Sequence, residues 1–251
     1  MNAVHFHFND TETRFSTPVL RLNLPDEERR LIDEHWQNVN ADGRFFNGTV
    51  LAGTALELNA NPTIQISTSN YAHYLYSNVH LTSTPCRAVY SAVIIITSDN
   101  FLLLGEMASA TSAPGRIQLV GGNIEISPSG TISGRDCGIR EVEEEVGTTF
   151  LQNAKGLQPF CIKTGGSGDH IGVFYVLRLT LAANEASLAF EEHSASLIIG
   201  GEKPELARIH LVELTEKATA DFCKSHSTQL VDYLAPLLTH NVQHLHHSQP
   251  T

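Results

Sequence analysis

The stretch AVYSAVIIITSDNFLLLGEM, residues 88–107, sets two almost unbroken apolar runs around the short polar break Ser98-Asp99-Asn100. Runs of this length, joined by turn-forming residues, predict a β-hairpin whose strands are buried. Burying such strands needs further elements, and 251 residues supply one large domain or two modest ones with ample core. A hydrophobic fraction of 41% and a mean hydropathy of -0.09 are those of a soluble globular chain. No run reaches the roughly 18 apolar residues of a membrane helix. The opening MNAVHFHFND has no basic segment ahead of an apolar core, so a cytoplasmic location is expected by default.

Around the hairpin the pattern alternates strands and helices. PDEERRLIDEHWQNVN (25–40) places Pro at the helix start, acidic residues in the first turn, and Leu31, Ile32 and Trp36 at helical spacing. GTALELNA and TIQISTS alternate apolar with polar, as half-buried strands do, and NYAHYLYSN predicts a short helix or turn. Turn-forming LTSTPCR suggests a boundary, which divides the chain into an N-terminal α/β region, 1–85, and a larger domain, 86–251. Beyond the hairpin, GRIQLVGG predicts a strand ending in a glycine pair, and NIEISPSGTISGRD a long polar loop. FCIKTGG, HIGVFYVLRLTL and ARIHLVEL read as strands. Residues 215–238 read as a helix capped by Thr215, and NVQHLHHSQPT as a frayed tail.

Charge and cysteine usage exclude several classes. A formal charge of -11 disfavours nonspecific nucleic-acid binding, because carboxylates outnumber the cations that would neutralise phosphates. An acidic protein can handle a phosphorylated small molecule if a divalent cation screens the two sets of charge. Cys86, Cys137, Cys161 and Cys223 form no C-x-x-C pair, which argues against a zinc knuckle or dithiol motif. Histidines 5, 7, 244, 246 and 247 lack zinc-site spacing, and no G-x-S-x-G elbow supports serine catalysis.

The chemistry concentrates in REVEEEVG, residues 140–147. On a helix, Glu141, Glu144 and Glu145 fall at i, i+3 and i+4 and share a face, while Ile139, Val142 and Val146 fall opposite. Three like charges at this spacing repel, a penalty that Mg²⁺ or Mn²⁺ would remove, since hard cations take oxygen ligands and leave positions for water and phosphate. Upstream, Gly121 and Gly122 let backbone approach the same ion or a phosphate. Gly147 suits a helix C-terminus. The alternative is a solvated acidic face.

GG, a loop, and REVEEEVG after a hairpin together resemble the Nudix box, G-x5-E-x7-R-E-U-x-E-E-x-G-U with U aliphatic. Gly122 matches the first glycine, and Arg140, Glu141, Val142, Glu144, Glu145 and Gly147 match the helical half without a gap. The loop is longer than the pattern: Gly122 and Arg140 lie 18 positions apart. Ile132 stands where the family has its first Glu and Thr148 replaces the last aliphatic; the longer loop allows Glu125 as a candidate to substitute for the missing acid. IDEHW, RFFNGTV, and Tyr71, Tyr74, Leu75, Ser77 and Asn78 of NYAHYLYSN further resemble the eukaryotic Nudix branch that hydrolyses UDP-glucose to UMP and glucose 1-phosphate.

These resemblances imply an α/β Nudix fold, a mixed-sheet α/β/α sandwich, preceded by the small N-terminal α/β region. They imply hydrolysis of a nucleoside diphosphate sugar, with UDP-glucose or UDP-galactose the expected substrate and Mg²⁺ (or Mn²⁺) the cofactor. Glu141, Glu144 and Glu145 would be metal ligands, with the Gly121 carbonyl nearby. Glu144, Glu145 and Glu205 are the catalytic candidates, Glu205 standing ahead of the last strand among the later acids Glu191, Glu192 and Glu202. Gly121, Gly122 and Arg140 would shape and orient the site. The partner is a nucleotide-linked small molecule, without nucleic acid or membrane; a homodimer is compatible with this reading. Two rivals stand beside it: a Nudix enzyme for ADP-ribose or another dinucleotide, and a non-catalytic nucleotide-sugar-binding module.

Overall fold

The computed structural model describes residues 2–247. In chain order the elements are β1 (Asn2–Phe8), β2 (Arg14–Phe15), β3 (Leu20–Arg21), α1 (Asp26–Val39), β4 (Thr49–Glu57), β5 (Thr63–Asn70) and α2 (Tyr71–Val79). The hairpin strands β6 (Val89–Ile96) and β7 (Phe101–Met107) follow, then β8 (Ile117–Gln118), β9 (Val120–Asn123), α3 (Gly134–Glu145) and α4 (Thr148–Gln152). The rest comprises β10 (Ala154–Gly166), β11 (Ile171–Leu179), α5 (Ala183–Ile199), β12 (Leu206–Glu213), α6 (Glu216–Ser225), α7 (Leu234–His240) and α8 (Val242–His247). The mixed α/β class expected from the sequence is borne out. No described helix is long and apolar enough to cross a membrane.

Two compact units make up the chain. The first takes in the chain up to Tyr90 with Asn123–Gly134 and Ile162–Val173; the second holds Ser91–Gly122, Arg135–Cys161 and the chain from Phe174.

In the first unit β4 and β5 pair antiparallel, and the short β2 and β3 pair parallel to β5, so this sheet is mixed. Helix α1 buries Ile32 against Ala72 and Tyr76 of α2, with Leu31 and Trp36 packed alongside. Pro25 sits at its N-cap, one position ahead of the expected helical start. The motif residues around α2 have structural roles. Asn70 Oδ1 accepts the His73 amide, and Asn47 Oδ1 accepts the Ala72 amide, satisfying two of the donors every helix start leaves open. Ser77 Oγ accepts the Cys86 amide, and Asn78 Oδ1 accepts Nε2–H of His170. That tautomer is set by the other ring nitrogen, Nδ1, which accepts the Ala88 amide. Tyr74 packs its ring on the same imidazole, 5.2 Å between centroids.

The eight-stranded sheet runs β1–β10–β11–β6–β7–β12, with β8 on β7 and β9 on β6. The hairpin pairs Ile95 with Leu103 and Ile96 with Leu102. Its turn is closed by Thr97, whose hydroxyl donates to Asp99 and accepts the Phe101 amide, while Asn100 takes φ 63°. Val93 to Ile96 and Leu102 to Leu104 are fully buried, so both strand faces are covered. Helix α3 lies close over β6: a side chain on Gly138 would meet Ser91 Oγ at 3.0 Å and Val93 at 3.1 Å.

Three local expectations differ from the structure, and one helix was not expected. GRIQLVGG breaks at Leu119 into β8 and β9. Residues 215–238 form two helices, because the chain between them turns back at Leu230 to bridge Ile117, with Gln229 and Val231 exchanging hydrogen bonds with its backbone. The tail up to His247 is helix α8, held by buried Val242 and Leu245 and by Arg178 donating to the Leu245 carbonyl; the remainder of the tail lies outside the described residues. Helix α5 has no counterpart in the sequence reading. It buries only Ala186 and Phe190 and leaves Leu188, Ile198 and Ile199 exposed, so it carries no apolar stripe to read.

Candidate metal-binding site on helix α3

Helix α3 buries Val142 and Val146 completely, as its wheel requires. Its acidic residues do not form the single solvated face that the wheel suggests. Glu141 and Glu145 are buried, at 8% and 4% exposed, while Glu143 and Glu144 face solvent. Two carboxylates one turn apart, out of water, are a costly arrangement unless paired, protonated or bound to a cation.

Their surroundings show which. Burial pushes the Glu141 carboxyl up, opposed by Arg140 and reinforced by the charges of Glu144 and Glu205. Burial pushes Glu145 well above the ordinary carboxylate range, with Glu141, Glu205 and Glu144 adding to it and a backbone hydrogen bond from Gly121 opposing it. Glu145 Oε2 is buried with no hydrogen-bond partner among the described residues. Four acids therefore share one field, and one of their oxygens waits for a partner.

Arg140 Nη2 reaches Glu141 Oε1 at 2.7 Å, and its Nε lies 3.9 Å from Glu144. The expected orienting role of this arginine thus falls on a carboxylate of its own helix. Gly122 packs under the same group: a Cβ there would lie 2.5 Å from Glu141 Oε1. At Gly121 a Cβ would meet the Ser91 carbonyl at 2.2 Å and Ala92 Cα at 2.8 Å. The glycine pair is required by close approach, on one side to β6 and on the other to the Glu141 carboxylate.

Three contacts were outside the sequence reading. Cys137, one turn before Glu141, places Sγ 3.6 Å from the Gly122 carbonyl and 3.9 Å from Glu141 Oε1. The i, i+4 spacing alone could have flagged it. His193 of α5 donates from Nε2 to the Glu144 carbonyl at 2.9 Å, filling one of the acceptors left open at the end of α3. Its ring also fills the space beside Gly147, where a Cβ would come within 2.9 Å. Gly147, at φ 102°, ends the helix with its amide on the Val142 carbonyl, as expected of a glycine after the C-cap. The His193 contact has no signal in spacing, since α5 itself was not legible.

Of the later acids, Glu205 acts on Glu141 and Glu145 from its position just before β12, with its carbonyl accepting the Ala108 amide. Glu191, Glu192 and Glu202 are exposed and enter neither field. Among the described residues no group of three or more His, Cys, Asp or Glu side chains is placed to hold a metal ion by itself. Two buried carboxylates, one of them with an orphaned oxygen, beside a rim carboxylate and glycine backbone fit a hard divalent cation that keeps several waters. They do not fit a four-ligand structural zinc site.

By class, then, this is a mixed α/β protein with a buried acidic site between a glycine strand end and a helix. The solved structures it resembles include Nudix hydrolases. A bifunctional NMN adenylyltransferase/ADP-ribose pyrophosphatase from Francisella tularensis, solved with AMP and Mn, shares 13% identity over 62% of this chain and 42% of its own, TM-score 0.40. This chain therefore spans less than half of that protein. A Nudix hydrolase from Nitrosomonas europaea shares 14% over 78% of this chain and 89% of its own, TM-score 0.38. A mutant pyrophosphohydrolase from Bacillus subtilis shares 15% over 68% and 86%, TM-score 0.39. No protein-family profile matches the sequence, and no curated protein does.

Proposed function

We propose that the chain is a Nudix-type hydrolase that cleaves the phosphoanhydride bond of a nucleoside diphosphate sugar, with Mg²⁺ or Mn²⁺ as cofactor. The substrate proposed is UDP-glucose or UDP-galactose, giving UMP and a sugar 1-phosphate. The observation that carries the hydrolase reading is the orphaned, buried Glu145 oxygen beside Glu141 in an R-E-x-x-E-E helix. The sugar and base rest only on the motif order in the N-terminal part.

A bound divalent cation supplies a more acidic water and screens the diphosphate charge. Glu141 and Glu145 would hold it, Glu144 would join from the rim, and the Gly121 carbonyl stands at the same strand end. Arg140 keeps Glu141 oriented, and glycine at 122 leaves room for its carboxylate. In the reaction the water oxygen bonds to one phosphorus, the bridging P–O bond breaks, and the water's proton passes to a carboxylate; Glu205 is proposed for that role. Cys86, Cys137, Cys161 and Cys223 are buried and form no disulfide among the described residues, which suits a reducing cytoplasm.

The rival, binding without turnover, is favoured by one observation, Ile132 at the position of the family's first acid. Incubating the protein with UDP-glucose and Mg²⁺ and identifying products separates the two. UMP release that is lost in Glu145→Gln supports the enzyme; saturable binding with no product supports the module. Release of AMP from ADP-ribose instead would move the substrate assignment.

A further inference from the structure

We propose that the N-terminal unit carries a second ligand site, a cavity of about 460 Å³ that takes the phosphate group of a small phosphomonoester. Its walls come from β1 (Ala3, His5 and His7), the end of β4 and the residue after it (Leu56 and Leu58), Arg87, the end of β10 (Thr164 and Gly165), and Asp169 in the turn between β10 and β11. The site is argued from these residues alone and stands whether or not helix α3 supports hydrolysis.

Arg87 is the centre of the argument. Its Nε donates to the Asp169 carbonyl at 3.2 Å and pairs with Asp169 Oδ2 at 2.8 Å, which fixes the plane of the guanidinium. Neither Nη has a hydrogen-bond partner among the described residues, so the fork suited to two oxyanion oxygens is left over in the cavity wall. Asp169 does not compete for that role: Oδ2 is on Arg87 and Oδ1 accepts the Gly165 amide at 2.9 Å.

The turn that presents Asp169 is firmly built. His170 is held at both ring nitrogens, by Asn78 and the Ala88 amide, and is covered by Tyr74. Gly165, at φ 74°, lies so close to β1 that a Cβ would stand 1.9 Å from the Ala3 carbonyl. Buried Lys163 donates to the Gly165 carbonyl at 2.7 Å and to that of His170 at 3.3 Å. The Tyr74-x-x-x-Asn78 part of the sequence motif thus fixes a turn whose exposed product is an aimed arginine.

His5 and His7 project from one face of β1, as alternate strand residues must. His5 is exposed and His7 shares Nε2 with Thr164 Oγ1 at 3.2 Å. Burial, then the charge of His5, holds His7 below the ordinary imidazole value, a direction that a bound anion would oppose. A carboxylate would be used up by the arginine fork. A phosphomonoester has a third terminal oxygen for an imidazole, and its organic part can lie on Leu56 and Leu58. The volume is within the range of small-ligand pockets.

Calorimetric titration of the EDTA-treated full chain with inorganic phosphate, glucose 1-phosphate and acetate tests this. Saturable binding of both phosphate probes is expected, tighter for glucose 1-phosphate, with acetate much weaker. Arg87→Gln should weaken phosphate binding at least about tenfold, the worth of one charge-assisted contact. His5→Ala should weaken it as well with an unchanged melting curve, because the His5 side chain is exposed and has no hydrogen bond among the described residues; it decides the matter if Arg87→Gln does not fold. No saturable binding of either phosphate probe, affinity unchanged in the folded variants, or acetate binding as tightly as phosphate would each overturn the proposal.

Discussion

Replacing Glu145 by Gln should stabilise the metal-free protein and abolish its stabilisation by Mg²⁺. Glu145 is 4% exposed, with Oε2 unpartnered and Glu141, Glu144 and Glu205 all raising the cost of its charge. Gln keeps the shape and removes the charge. An unsatisfied buried polar group costs about 1–3 kcal/mol, and more when charged. The gain should therefore be at least about 1 kcal/mol, or about 2–4 °C per kcal/mol for a chain of this size. The sign with pH follows from the raised carboxyl value. Below the unfolded value of 4.5 the group is protonated in both states, and wild type and variant should be equally stable. As pH rises through the raised folded value the wild type loses stability that the variant keeps. Mg²⁺ at a hundred times its dissociation constant should return about 2.7 kcal/mol to the wild type and little to the variant. Urea unfolding in EDTA at pH 4 and pH 7.5, with and without Mg²⁺, reads all of this. A variant no more stable than wild type at pH 7.5 in EDTA would refute the reasoning.

Other outcomes follow from close approach and pairing. Gly122→Ala would push only the mobile end of Glu141, so it should leave the melting temperature nearly unchanged but weaken Mn²⁺ binding in a titration. Gly121→Ala would strike the backbone of β6 and should cost about 1–3 kcal/mol in urea unfolding, whatever its effect on metal. Glu106 is held below the ordinary carboxylate range by Arg208 first and His210 as well, against burial, with Arg208 Nε at 2.7 Å and His210 Nε2 at 2.9 Å. Its contribution is present above its unfolded value of 4.5 and lost as pH falls through the depressed one. Glu106→Gln should accordingly lower the urea midpoint at pH 7 and leave it unchanged at pH 2. Asn78→Ala removes the acceptor of His170 Nε2–H and should destabilise the chain by about 1 kcal/mol, seen in the same assay.

The hairpin and α3 were legible because their patterns are local: continuous apolar runs for one, Val142 and Val146 against a run of acids for the other. The burial of Glu141 and Glu145 was not legible. A helical wheel assigns acids to solvent, and what lies against these two instead is β9, whose Gly122 packs on the Glu141 carboxylate and whose Gly121 backbone hydrogen-bonds to Glu145. Helix α5 escaped for the opposite reason, having only Ala186 and Phe190 to bury. The break near Leu230 depends on a bridge to Ile117 that sequence spacing cannot show. Tyr74, Ser77 and Asn78 were recognisable as a motif, but their work in capping and turn anchoring emerged only from the hydrogen bonds they make.

Whether the buried carboxylates of α3 hold a divalent cation for hydrolysis of a nucleotide diphosphate is decided by product analysis of UDP-glucose incubated with wild type and Glu145→Gln, in EDTA and in Mg²⁺. UMP and glucose 1-phosphate are expected from the wild type in Mg²⁺ alone. Equal product in EDTA, or from the variant in Mg²⁺, would contradict that role.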